Sequence, residues 1–105
     1  MTLNEKREFT RHDFIAEVKF RSDTLPLRAR ISDISEGGIF IDTIDPLPAD
    51  TMVTVSFYIP DANSDSPITG SGKVVWAQET VGMGIEFVNL DEKIRERLKK
   101  FLADI

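Results

Sequence analysis

Apolar and polar residues alternate with a period of two from Phe14 onward. Phe14, Ala16, Val18 and Phe20 share one face, while Ile15, Glu17, Lys19 and Arg21 share the other. That alternation predicts a strand with one buried side. Ser22-Asp23-Thr24 reads as a turn, after which Leu27, Ala29 and Ile31 alternate with Arg28, Arg30 and Ser32 in a second strand. Ser35-Glu36-Gly37-Gly38 breaks it, and Ile39-Phe40-Ile41-Asp42 forms a short third strand closed by Pro46 and Pro48. A fourth strand alternates Val53, Val55, Phe57 and Ile59 with Thr54, Ser56 and Tyr58 until Pro60. The segment from Pro60 to Pro67 is polar and turn-rich, and reads as an exposed hairpin loop. Ile68 to Ala77 is a fifth strand, in which Gly70 and Gly72 mark a bulge or a close backbone approach. Gly82 to Phe87 gives a sixth.

The period then changes. Ile94, Leu98, Phe101, Leu102 and Ile105 recur at helical spacing, opposite a face of Lys93, Arg95, Glu96, Lys99 and Lys100. Asn89 is the expected N-cap, with Glu92 three residues later. Six strands followed by one amphipathic helix predict an all-β fold: a six-stranded antiparallel barrel with a C-terminal helix over about residues 90–104. The expected layout is an N-terminal arm over 1–12 and the barrel with its helix over 13–105. There is no internal repeat and no interdomain linker.

Composition narrows the chemistry. The 105 residues suffice for one core, and no apolar run approaches the length of a membrane span. The first seven residues lack the apolar stretch of a signal peptide, so a cytoplasmic location is expected. With no cysteine, disulfides, thiolate catalysis and thiolate metal sites are excluded. His12 is the only histidine, which excludes a multi-histidine metal cage. The net charge of −5 argues against a nucleic acid polymer as partner. That charge is uneven: residues 1–30 carry seven Lys/Arg against five Asp/Glu, and residues 31–105 carry six against thirteen. A basic N-terminal segment on an acidic body suits a small anionic partner met by that segment.

Nothing reads as an active site. Gly-x-Ser-x-Gly does not occur, and His12 would have to serve any triad alone. Gly82-Met83-Gly84 lacks the third glycine of a dinucleotide fingerprint, because Phe87 stands there. No enzyme, metal or cofactor is therefore expected. Two clusters remain. Arg7-Glu8-Phe9-Thr10-Arg11 places two arginines four apart, and Asp33-Ile34-Ser35-Glu36-Gly37-Gly38 falls where a strand ends. Arginine offers a planar fork of donors to phosphate oxygens and to the O6/N7 edge of guanine. A carboxylate such as Asp33 accepts from guanine N1–H and N2–H, Ser35 adds a hydroxyl, and Gly37 and Gly38 let backbone amides approach an anion. Taken singly, each cluster has a plainer account as surface arginines and a capped turn.

Arg-x-x-x-Arg followed some twenty residues later by Asp-x-Ser-x-x-Gly resembles the signature of the PilZ-domain family, bacterial receptors for cyclic di-GMP. The matching positions are Arg7, Arg11, Asp33, Ser35 and Gly38. Gly72-Lys73-Val74-Val75-Trp76 and Gly82 to Phe87 look like two later strands of that family, so the resemblance spans nearly the whole chain. It implies a six-stranded barrel, a mobile arginine arm that folds over the dinucleotide, and a turn at Asp33 to Gly38 that grips the other side. Lys6 stands where the family's choice between one nucleotide and a stacked pair is set, and a basic residue leans toward the pair. Trp76 has two readings: stacking on a guanine, or alternation with Val74 into the core. Glu8 and Glu36 sit at variable positions within the motifs.

The resemblance implies a non-catalytic receptor for cyclic di-GMP. Six residues precede Arg7, so the chain is expected to act alone. Its output would pass to a downstream protein, or through self-association as a homodimer. The rival is a constitutive protein–protein interaction module on the same barrel, with the arginines as a docking patch.

Overall fold

The computed structural model describes residues 14–20 and 27–104. The strands are β1 (Phe14–Phe20), β2 (Leu27–Ile34), β3 (Gly38–Asp42), β4 (Met52–Phe57), β5 (Ile68–Gln78) and β6 (Gly82–Asn89), followed by the helix α1 (Glu92–Ala103). The expected mostly-β fold with a C-terminal helix is the one observed. β2, β3, β6, β5 and β4 follow one another as a curled antiparallel sheet. β1 pairs with both of its outer strands, Val18 opposite Leu27 of β2 and Phe20 opposite Val53 of β4, so that the order β1-β2-β3-β6-β5-β4 returns on itself.

The period-two pattern is read out as burial. Val53, Val55 and Phe57 of β4 point inward between exposed Thr54 and half-buried Ser56. Ile39 and Ile41 of β3 and Met83 and Ile85 of β6 join them in one core. Burying a side chain of this size contributes roughly 1.5–3 kcal/mol, so this cluster is the main source of stability. α1 adds Leu98 and Phe101 to the same cluster, with Ile94 and Leu102 packed at its margin.

Two expectations need correction. The N-cap of α1 is Asp91, not Asn89: its carboxylate accepts from the Lys93 backbone N–H at 3.1 Å, while Asn89 still belongs to β6. Both residue types cap helices well, and strand pairing of Asn89 with Ser71 decides between them. β4 stops at Phe57 rather than Ile59, although Ile59 remains buried. The loop after it joins the antiparallel strands β4 and β5 and is largely exposed, as expected, but it is also tied to the helix. Arg97 of α1 reaches into it, pairing with Asp61 at 2.7 Å and donating to the Asn63 and Ser66 carbonyl oxygens at 2.8 Å each. Among the described residues, no helix is long and apolar enough to cross a membrane.

Candidate functional site

The site begins with a bulge. Ile31 of β2 lies opposite Ile41 of β3, but Asp33 lies opposite Phe40, so Ser32 is an extra residue on β2. Ile31 and Ile34 both point into the core while Ser32 and Asp33 are both exposed. Strict alternation from Ile31 would have turned Asp33 inward. The bulge re-aims its carboxylate outward, which is the usual effect of an inserted strand residue.

Beyond the bulge the chain turns within a few hydrogen bonds. Asp33 Oδ1 accepts from the Ile34 backbone N–H at 3.0 Å. Gly37 N–H donates to Ser35 Oγ at 3.2 Å, and the Ser35 backbone N–H donates to the Gly38 carbonyl at 2.9 Å. Phe87 N–H of β6 donates to the Gly37 carbonyl at 2.8 Å and ties the turn to the sheet. Gly38 has a packing reason of its own. A Cβ there would collide with the Ile85 carbonyl oxygen and sit 3.1 Å from the Glu86 Cα. The glycine therefore permits close approach of β3 to β6, a purpose that composition alone did not separate from contact with an anion.

Asp33, Ser35, Gly37 and Gly38 line a single cavity of about 290 Å³, with Phe40, Val75 and Glu86 as further walls. The structure thus brings the turn residues of the signature together. Arg7, Arg11 and Lys6, with the whole arm over 1–12, lie outside the described residues. Trp76 is not one of the lining residues, but it is 43% exposed and its ring meets that of Phe40 at 5.5 Å between centroids, tilted by 42°. The core alternative for Trp76 is therefore excluded. A second bulge explains why: the β5–β6 register shifts between Val74 and Trp76, so that Val74 is buried while Val75 and Trp76 both face outward. Gly84 of β6 stands opposite both Phe40 and Trp76 and leaves the two rings room to meet.

Phe40, Val75 and Glu86 were missed by the sequence reading. The first two looked like ordinary strand residues, and only the register places them beside the turn. Val75 and Glu86 did lie inside the two strand motifs that carry the resemblance, a signal that names the strands but not the side chains that face the cavity.

A larger cavity, of about 1070 Å³, lies between the β4–β5 loop and α1. It gathers none of the signature residues, and its Arg97 is committed to the loop. The smaller cavity, not this one, is where the candidate chemistry converges.

No curated protein matches the chain. The family model of the PilZ domain matches residues 5–104, from the arginine segment through the turn at Asp33 to Gly38 to the end of the helix, and the chain therefore belongs to the PilZ domain family.

Proposed function

We propose that this protein is a non-catalytic receptor for cyclic di-GMP that acts in the bacterial cytoplasm. One observation carries the reading. In a chain of the PilZ family, Asp33, Ser35, Gly37 and Gly38 line one cavity, with the Asp33 carboxylate turned outward by a bulge. Asp33 and Ser35 supply acceptors and a hydroxyl to the ligand, while Arg7 and Arg11 supply the guanidinium forks for its phosphates and guanine edges. Lys6 adds charge beside them, and the Phe40–Trp76 pair offers an aromatic face at the rim. Binding orders the arm over the cavity and creates a surface for a downstream protein or for a second copy of the chain. No bond is made or broken.

Calorimetric titration with cyclic di-GMP tests this directly. The wild type should give saturable heat with one or two nucleotides per chain. Arg7→Ala and Arg11→Ala should abolish or strongly weaken it while leaving the thermal midpoint almost unchanged. Arg→Lys at either position should also fail, because an ammonium does not reproduce the planar fork. A wild-type protein that gives no binding heat leaves the constitutive interaction module as the better account.

A further inference from the structure

We propose that Glu86 is a second carboxylate reader in the cavity, one that takes the donor edge of a guanine and sets the preference for guanine over adenine. The inference rests on the cyclic di-GMP reading above and names a residue which that reading does not use. Glu86 lies on β6 opposite Gly38 of β3, and its neighbour Phe87 is bonded to Gly37, so its position is fixed relative to the turn. It is exposed and lines the same cavity as Asp33. Lys73 stands opposite it on β5, yet among the described residues the Glu86 side chain has neither an ion pair nor a hydrogen bond.

The described lining of this cavity holds two carboxylates, the Ser35 hydroxyl, an aromatic ring, aliphatic residues and glycine backbone, and no cationic side chain. Such a wall repels a bare phosphate and suits the edge of a base, because an ionised carboxylate only accepts hydrogen bonds. Guanine carries N1–H and N2–H side by side, matched to the two oxygens of one carboxylate. Adenine offers a single amino group beside the N1 lone pair, which a carboxylate repels. Asp33 has one oxygen occupied by the Ile34 N–H, whereas both oxygens of Glu86 are open. Glu86 is thus the better two-oxygen acceptor on this wall. A ligand with two guanines gives each carboxylate an edge to read.

The test titrates wild type, Glu86→Gln and Glu86→Ala with cyclic di-GMP and cyclic di-AMP at one ionic strength. Glu86→Ala should lose affinity for cyclic di-GMP by about tenfold or more, the discrimination that a two-bond contact to a base supplies. Its affinity for cyclic di-AMP should hold or rise, so the selectivity ratio collapses. Glu86→Gln should fall between, since its carbonyl keeps one acceptor. Thermal melting of both variants should match wild type, because the side chain is exposed. Equal gains for both ligands would make Glu86 only a like charge facing a dianion, and unchanged binding would make it a bystander; either outcome overturns the inference while the receptor reading stands. A wild type that binds no cyclic di-GMP overturns both.

Discussion

At the scale of single residues, the signature positions separate into two physical kinds. Asp33 and Ser35 are exposed and make only local bonds within the turn, so their side chains face solvent. Gly38 is held by the approach of β6, where any side chain meets the Ile85 carbonyl. Substitutions should reveal the difference. Gly38→Ala forces the β3–β6 backbones apart and should lower stability by about 1–3 kcal/mol, the usual cost of overpacking. Asp33→Ala should stay within about 1 kcal/mol, the worth of one ordinary hydrogen bond, while losing ligand affinity. Urea denaturation of the two variants checks this, and a Gly38→Ala protein as stable as wild type would show that the turn has room to shift.

At the scale of elements, the join between α1 and the β4–β5 loop is polar and centred on Arg97. Arg97 satisfies both Asp61 oxygens, at 2.7 and 3.1 Å, and two loop carbonyls besides. Its guanidinium hydrogen bonds hold the Asp61 carboxyl below its ordinary value of 3.8, against the opposing effect of partial burial and with help from the Asn63 backbone N–H. A carboxyl lowered on folding stabilises the protein above its unfolded value, and that contribution is lost as pH falls through the folded value. Melting experiments should therefore show wild type losing this increment below about pH 4. Asp61→Asn should be weaker by about 1–2 kcal/mol at pH 7, with a flatter slope on the acid side. Identical acid slopes for the two proteins would mean that the pair contributes nothing measurable. Arg97→Ala should cost at least as much, since it removes four hydrogen bonds to Asp61 and the loop carbonyls at once.

At the scale of the whole molecule, the turn is held to the sheet by the β2–β3 and β3–β6 pairings and by the Phe87 N–H bond to the Gly37 carbonyl. The segment from Met1 to Arg11 is polar and lacks a sustained apolar period. It has little to offset an ordering cost of about 1–2 kcal/mol per residue, and under the proposed function a ligand that neutralises Arg7 and Arg11 would supply the difference. Amide hydrogen exchange should find this segment fast without cyclic di-GMP and protected with it. The turn from Asp33 to Gly38 should slow as well, while β4, paired on both sides, should hardly change. An arm already protected in the free protein would replace the ordering switch with a preformed receptor.

Much of this molecule was determined locally and so was legible in the chain. Alternation of apolar residues set the strands, since a half-buried strand has few other ways to bury its apolar face, and the change to helical spacing after Asn89 announced α1. The turn from Ser35 to Gly38 was legible for the same reason, because glycine and a capping hydroxyl act within a few residues. Register was legible only at Gly70 and Gly72, which marked the close approach and the shift found between Ser71 and Gly72. The bulges at Ser32 and Val75 depend on which residues the partner strands offer, and each shifts the alternation by one position. Those shifts turned Asp33 and Trp76 outward, and the pairing of the strands brought Phe40, Val75 and Glu86 to one cavity. The same holds for Arg97, whose place on an amphipathic helix says nothing of Asp61 thirty-six residues earlier. Contacts between distant segments are energetic choices among partners that adjacency in sequence does not reveal, so the tertiary structure alone decided which side chains face the cavity.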